Sequence, residues 1–325
     1  MATSGPIRRI VDINPSITPA EMLAELVPPR EFHQATFETY VPDANFTSQA
    51  NAVALLKARL HEKPKKRGDV VPGFYLDGGF GVGKTHLLVS YFKAFKGKKL
   101  FGSFLAYTSF IGAVGFAQSL KLLSKYDLLA IDEFELDDPG NTMIMSRLIN
   151  ELGANGTVFA ATSNTPPDAL GAGRFAAEDF QREILGIGAR FQVIAVDGED
   201  YRHRHTERVG AFGDDELRHW LQNLSGPSAM DDFESLLKHL STMHPSKYHK
   251  LVSGIDNIAL TNVKPFKDQN DALRFVAFVD RAYEEQIHLR ASGVDLSQAF
   301  TPEMINGAYQ KKYRRAISRL AAMAS

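Results

Sequence analysis

The chain has 325 residues, of which 44% are hydrophobic and 23% charged, a composition typical of a globular protein with about two domains. Its net charge of −1 excludes a global field that would draw the whole molecule to nucleic acid or anionic lipid. The absence of cysteine excludes disulfides, thiolate nucleophiles and iron–sulfur clusters. No apolar run approaches the roughly 20 residues that span a bilayer, and the N-terminus lacks the apolar core of a secretory signal. We therefore expect a cytoplasmic protein that is not an integral membrane protein.

An N-terminal arm is predicted over residues 1–68. Prolines interrupt residues 1–30, and apolar spacing indicates short helices over residues 18–26 and 47–60. The basic, proline-containing sequence HEKPKKRGD follows the second of these helices and marks the end of the arm.

Residues 69–200 alternate between apolar strands and amphipathic helices. The predicted strands contain FYL, SFLAYTS, DLLAID, TVFAATSN and RFQVIAV, and the predicted helices are KTHLLVSYFKAF, FIGAVGFAQSLKLLSKY and GNTMIMSRLINEL. Such alternation is typical of a parallel sheet covered by helices on both faces. The predicted fold is therefore α/β, with a five-stranded parallel sheet.

A mixed, mainly helical C-terminal region is predicted over residues 201–325. Its strands are expected in IDNIALTNV and QIHLRAS. Its helices are expected over residues 214–224, 230–243, 269–285 and 301–323.

The sequence GGFGVGKT, residues 78–85, matches the P-loop pattern G-x-x-x-x-G-K-[ST] between a predicted strand and a predicted helix. The predicted parallel sheet is therefore of the P-loop NTPase type. Glycines let backbone N–H groups approach phosphate oxygens, and the helix N-terminus adds partial positive charge. Lys84 is expected to reach the β- and γ-phosphates of ATP, and Thr85 to take a position on Mg²⁺. The predicted ATP-binding residues are Gly78, Gly79, Phe80, Gly81, Val82, Gly83, Lys84, Thr85 and His86.

Two carboxylates follow the apolar strand LLAI, about 50 residues after the P-loop. Carboxyl ends of parallel strands border the ligand crevice of such folds. Asp132 is therefore predicted to hold Mg²⁺, and Glu133 to act as general base toward the attacking water. A solvated strand end is the alternative interpretation.

Asn164 ends the next apolar strand and is predicted to hold the lytic water or to sense the γ-phosphate, the sensor-1 role of AAA ATPases. The alternative is a turn-forming asparagine ahead of Thr165-Pro166-Pro167.

Ring ATPases stabilise transition-state charge with an arginine from a neighbouring subunit, which requires a homo-oligomer. Arg182 is the first candidate for this role and Arg174 the second. A surface ion pair between Glu178 and Arg182 at i,i+4 spacing is an equal alternative. Arg274, on a predicted C-terminal helix, is a candidate sensor-2 residue, again with a structural role as an even alternative.

Several segments resemble the ZapE family of bacterial cell-division AAA ATPases and their mitochondrial relatives. They match the family's Asp-Glu-Phe strand end with its following helix, its sensor-1 strand with a Pro-Pro turn, its Asp-Tyr-Arg signature and its two C-terminal helices. The matching segments are residues 128–152, 157–170, 200–202, 272–285 and 316–323. The family's Arg-x-Arg-Phe pattern is replaced here by Ala177-Glu178-Asp179-Phe180.

This resemblance implies an ATPase that remodels a protein partner, either the tubulin-like protein of the division ring or membrane-associated proteins. A DNA-binding AAA protein of the helicase-loader or initiator type is the alternative, with nucleic acid as a less favoured partner. A third hypothesis is a scaffold that binds ATP but scarcely hydrolyses it.

Overall fold

The structure is a computed structural model that describes residues 7–61, 73–79, 81–134, 139–164, 186–199, 212–307 and 309–324, with Pro139 and Lys311 described by their backbone alone. The described residues divide into two compact units. The P-loop unit comprises residues 18–28 and 32–204, and the C-terminal unit comprises residues 1–17, 29–31 and 205–325. None of the helices within the described part of the chain is both long enough and apolar enough to cross a membrane.

The P-loop unit is built on a parallel five-stranded sheet with the order β2-β3-β4-β1-β5, which confirms the predicted α/β fold. Its central strands are continuous apolar runs because both faces are covered, and all five residues of Leu128–Asp132 are buried. The strands are β1 Gly73–Asp77, β2 Lys99–Ser103, β3 Leu128–Asp132, β4 Val158–Ser163 and β5 Phe191–Ala195.

Helices cover this sheet, and their ends follow ordinary capping chemistry. Thr18 and Glu21 form a capping box at the first helix, and Gly115, at φ +85°, separates the fourth helix from the fifth. The helices are α1 Pro19–Ala24, α2 Thr47–Arg59, α3 Lys84–Ala94, α4 Phe104–Val114, α5 Phe116–Leu123 and α6 Pro139–Ala154.

The prediction of a strand over SFLAYTS was wrong. The strand β2 precedes this sequence and ends at Ser103, whose side chain accepts a hydrogen bond from the Ala106 N–H at 3.2 Å and caps α4. Phe104, Tyr107 and Ile111 are buried at helical spacing. A short apolar run with this composition fits a buried strand and a buried helix equally well, so periodicity alone could not separate them.

The C-terminal unit contains a second parallel sheet, of three strands in the order β6-β7-β8, and is mainly helical as predicted. Its strands are β6 Ser228–Asp232, β7 Asn257–Val263 and β8 His288–Gly293. Its helices are α7 Asp214–Asn223, α8 Phe233–Ser241, α9 Tyr248–Val252, α10 Gln269–Glu284, α11 Pro302–Ile305 and α12 Gln310–Ala324.

Two predictions in this unit need correction. The helix expected over residues 230–243 begins at Phe233, because residues up to Asp232 form β6 and pair with β7. The helix expected over residues 301–323 is two helices. The first of them, α11, ends in a turn at Asn306, which interrupts the apolar periodicity that had suggested one element.

Candidate active site

A cavity of about 190 Å³ lies at the carboxyl edge of the five-stranded sheet. It is bounded by the loop after β1, the start of α3 and the ends of β3 and β4, where parallel α/β sheets bind ligands. Its lining residues are Phe32, Gly81, Val82, Gly83, Lys84, Thr85, His86, Asp132, Glu133, Thr162, Ser163 and Asn164. The P-loop, both carboxylates and the asparagine singled out in the sequence therefore share one cavity.

The P-loop reaches its shape through glycines that no other residue could replace without strain. Gly81 and Gly83 have φ of +70° and +89°, the left-handed region that favours glycine. A Cβ on Gly83 would also stand 2.6 Å from Cε2 of Tyr40. Gly83 directly precedes α3, so the loop leads the chain into a helix N-terminus that attracts anions.

Lys84 begins α3 and extends its ammonium group across the cavity. Its Nζ donates to the carbonyl of Gly78 and to Oδ1 of Asn164, both at 2.8 Å, and also to the carbonyl of Gly79. The contact with Asn164 joins the P-loop to the end of β4. A cation and an amide held together at this edge are suited to contact the terminal phosphate of a nucleotide.

Thr85 and Asp132 meet on the floor of the cavity. The Thr85 hydroxyl lies 3.2 Å and 3.1 Å from the two carboxylate oxygens. Burial first, and then the charge of Glu133, raise the pKa of Asp132 to about 6, although hydrogen bonds from Thr162 and Thr85 act in the opposite direction. A hydroxyl beside a buried carboxylate is a donor set that suits Mg²⁺, and a cation there would offset the cost of the buried charge.

Glu133 follows β3 in an unusual backbone conformation. Its φ is +51°, which non-glycine residues rarely adopt. The Glu133 N–H donates to Oγ1 of Thr162 at 3.0 Å, and the Phe134 N–H donates to the Thr162 carbonyl at 2.7 Å. The Phe134 ring is fully buried against Phe104, at 5.3 Å between ring centroids. The turn after β3 is thus held by hydrogen bonds to β4 and by packing of the Phe134 ring.

His86 was predicted to bind nucleotide, and the structure gives its ring protein partners as well. Its Nε2 lies 3.1 Å from Oγ1 of Thr39 and 3.0 Å from the carbonyl of Thr36, and its ring packs edge-on against Tyr40. The ring lines the cavity and also holds residues 32–40 of the N-terminal arm on α3.

Sequence reasoning missed Phe32, Thr162 and Ser163 as residues of this cavity. Phe32 lies more than 50 positions before the P-loop helix in the chain, and no local pattern ties the two together. Thr162 had a signal, because it is a hydroxyl residue near the end of an apolar strand beside β3.

The structure leaves the roles predicted for the arginines untested. Arg174 and Arg182, together with Phe80 of the P-loop and the Asp-Tyr-Arg signature at residues 200–202, fall outside the described residues. Arg274 belongs to the C-terminal unit, where its Nη1 lies 3.0 Å from Oδ1 of Asp271 on the same helix.

Comparisons with known proteins agree on one family. The family model of AFG1-like ATPases matches residues 17–224 and 221–325. The cell division protein ZapE of Escherichia coli K12, and that of strain O157:H7, are each 28% identical to this chain over 329 residues, covering 86% of this chain and 86% of the relative.

Solved structures are more distant. The DnaC helicase loader aligns with 51% of this chain and 99% of its own, at 19% identity and a TM-score of 0.38. The replication initiator DnaA bound to AMPPCP and single-stranded DNA aligns with 89% of this chain and 87% of its own, at 14% identity and a TM-score of 0.42. Likeness of this degree carries no conclusion about function.

Proposed function

The chain belongs to the family of AFG1-like ATPases and is an AAA-type ATPase, and from this premise we propose that it couples ATP hydrolysis to the remodelling of a protein partner. The observation that carries the hydrolytic part is the contact between Thr85 and Asp132 in a cavity that Glu133 also lines. This contact unites the P-loop and the acidic strand end, which are 47 positions apart in the chain.

In this proposal the P-loop holds the phosphates. Backbone N–H groups at the start of α3 and the ammonium group of Lys84 supply positive charge around the β- and γ-phosphates. Asn164, which already contacts Lys84, positions the attacking water or the γ-phosphate. These donors are fixed before the reaction, which is how electrostatic stabilisation lowers a barrier most effectively.

Thr85 and Asp132 are the residues that would hold Mg²⁺. When bound, Mg²⁺ neutralises phosphate charge and fixes the geometry of the β- and γ-phosphates. Glu133 removes a proton from water, whose oxygen attacks the γ-phosphorus while the bond to the β–γ bridging oxygen breaks.

Glu133→Gln tests the assignment of the base. The amide retains the shape of the side chain but cannot accept the proton, so phosphate release should fall by roughly a hundredfold or more while nucleotide affinity is retained. Phosphate release and the fluorescence of a bound ATP analogue measure the two properties separately. Turnover at the parent rate in Glu133→Gln would refute the proposed chemistry.

The role of the arginines is a separate part of the proposal. We infer that Arg182, or else Arg174, completes the site of a neighbouring subunit in a homo-oligomer, and that Arg274 responds to the γ-phosphate. Specific activity should then rise with protein concentration, and Arg182→Ala should remove that rise without weakening nucleotide binding. Unchanged activity in Arg182→Ala would transfer the role to Arg174.

The partner is proposed from the relatives. Two relatives are named cell division proteins, which supports a protein of the division apparatus, such as the tubulin-like ring protein or a membrane-associated protein, as the target in the cytoplasm. Glu133→Gln should keep ATP bound and so retain the target during purification from a lysate. Enrichment that depends on ATP and is lost in Lys84→Ala would identify the target.

A further inference from the structure

We propose that Thr162 is a positioning residue for hydrolysis. Its hydroxyl orients the carboxylate of Asp132 and fixes the backbone of Glu133 in the conformation in which that residue lines the cavity. The inference rests on the proposed role of Glu133 as general base.

The hydroxyl of Thr162 is used as a donor and as an acceptor at once. It donates its one proton to Oδ1 of Asp132 and accepts the N–H of Glu133 at 3.0 Å. Thr162 is only 2% exposed, so water cannot readily replace either bond. One side chain on β4 therefore fixes two successive residues at the end of β3.

The backbone of Thr162 extends the same connection. Its carbonyl accepts the N–H of Phe134 at 2.7 Å. Thr162 therefore accepts hydrogen bonds from two successive backbone N–H groups, those of Glu133 and Phe134. Glu133 has φ of +51°, and a non-glycine residue keeps such a conformation only where its surroundings enforce it. Of the two bonds that Thr162 makes with the N–H groups of Glu133 and Phe134, a substitution of Thr162 can remove only the side-chain bond to Glu133.

A purely structural role for Thr162 makes a different prediction from a positioning role. Thr157 provides the comparison, because it precedes the same strand at its opposite end and is also buried. Its hydroxyl donates to the carbonyl of Tyr126 at 3.1 Å, away from the residues that line the cavity. Loss of either hydroxyl should lower stability, but only loss of the Thr162 hydroxyl should impair turnover.

The experiment compares Thr162→Val, Thr162→Ser and Thr157→Val with the parent protein. Valine keeps the shape of threonine without its hydroxyl, and we expect kcat to fall roughly tenfold to a hundredfold with no matching change in KM or in the affinity for an ATP analogue. Serine keeps the hydroxyl and should retain a kcat close to that of the parent. Thr157→Val should retain kcat, and urea unfolding without nucleotide compares the stabilities.

The results that would overturn the inference about Thr162 differ from the result that would contradict the proposed function. A parent-like kcat in Thr162→Val, or a loss of kcat in Thr162→Ser as large as in the valine variant, would overturn the inference. If Thr162→Val does not fold, Thr162→Ala, which also removes the hydroxyl, takes its place in these comparisons. In a Glu133→Gln background, Thr162→Val should lower kcat by a smaller factor than it does in the parent, because the part of its effect that acts through Glu133 is already lost. Full turnover by Glu133→Gln would instead contradict the proposed function.

Discussion

In each of the two parallel sheets, one strand has two adjacent acidic residues at its carboxyl end. The two pairs of acids have different environments. In the P-loop unit, β3 ends at Asp132 and Glu133 follows it. In the C-terminal unit, β6 ends with Asp231 and Asp232. The topological position is the same, since carboxyl ends of parallel strands border the crevice in such sheets. The contacts around the acids decide what each pair does.

At the edge of the C-terminal sheet, the carboxylates of the two acids accept hydrogen bonds from backbone N–H groups. Asp231 accepts the N–H groups of Ile10 at 2.7 Å and Val11 at 3.4 Å. Asp232 caps α8 by accepting the Ser235 N–H at 3.0 Å. Partial burial raises the pKa of Asp232, but hydrogen bonds from Ser235 and Asn262 outweigh it, and the net pKa is lowered. These acids hold the fold together.

At the edge of the P-loop sheet, the acids face a cavity and a lysine. Asp132 accepts hydrogen bonds from Thr85 and Thr162, and its pKa is raised to about 6 by burial and by Glu133. Lys84 lines the same cavity. The comparison shows that an acidic strand end becomes a candidate site where its acids line a cavity together with a lysine, rather than where they accept backbone N–H groups of neighbouring segments.

The largest effect is expected when the lysine at the edge of the P-loop sheet is removed, and the lysine at the edge of the C-terminal sheet is the control. Lys84→Ala should lower ATP turnover roughly a hundredfold or more and weaken nucleotide binding, because the variant loses a buried ammonium group that points into the cavity. Lys264, beside the C-terminal sheet, forms an ion pair with Glu234 at 3.2 Å, and both side chains are more than half exposed. Lys264→Ala should leave turnover unchanged. Phosphate release by both variants checks this, and equal losses would contradict the comparison.

The second prediction concerns the stability of the nucleotide-free protein. The pKa of Asp132 is raised from 3.8 to about 6, so the folded state binds a proton more tightly than the unfolded state does. Stability should therefore fall as the pH rises from about 4 to about 6, and the loss should persist above that range. Asp132→Asn cannot ionise and should be more stable than the parent by about 1–3 kcal/mol near neutral pH, while losing Mg²⁺-dependent turnover.

Urea unfolding without nucleotide or Mg²⁺, at about pH 4 and about pH 7, measures this difference. The advantage of Asp132→Asn should be much smaller at the lower pH, where the carboxyl of the folded parent is protonated and only about half of the unfolded carboxyl is ionised. A variant less stable than the parent at neutral pH would show that the hydrogen bonds of the carboxylate outweigh its burial.

The sequence predicted much of the P-loop site because its signals are local. The P-loop and the Asp132–Glu133 strand end are short patterns in which each residue has a chemical reason for its place. The shared cavity follows from strand order in a parallel sheet. Phe32 could not be assigned in this way, because it comes from a segment that is distant in the chain. Thr162 had a local signal as a hydroxyl near a strand end, but its role depends on hydrogen bonds to β3 that the sequence does not show.

Errors in the fold arose where two elements meet without a turn. Phe104 follows β2 directly and Phe233 follows β6 directly, so strand and helix share one apolar run in each case. The prediction displaced the first strand and missed the second. In both cases a capping side chain, Ser103 or Asp232, sets the boundary, and its role shows only when its hydrogen bond is known.

The third prediction tests the structural role of Asp231. Its side chain is fully buried, and Asp231→Ala would leave the N–H of Ile10 buried without its acceptor. The free energy of unfolding should fall by about 1–3 kcal/mol, with kcat for ATP unchanged. Asp231→Asn keeps one acceptor oxygen and should lose less. Chemical denaturation measures the loss of stability, and phosphate release measures kcat. A loss of turnover without a loss of stability would instead give Asp231 a role in the reaction.

The smallest effect is expected at Asp232, which should act as a helix cap and nothing more. Asp232→Ala removes the acceptor for the Ser235 N–H and should cost about 1 kcal/mol, whereas Asp232→Asn still caps α8 and should cost less. Because the folded-state pKa of Asp232 is lowered, the contribution of its charge is present near neutral pH and is lost as the pH falls through the carboxyl range. The difference between parent and alanine variant should therefore narrow in acid, as urea unfolding can measure. A difference that widens in acid would mean that the charge of Asp232 opposes folding, as that of Asp132 does, and the contrast between the two sheets would no longer hold.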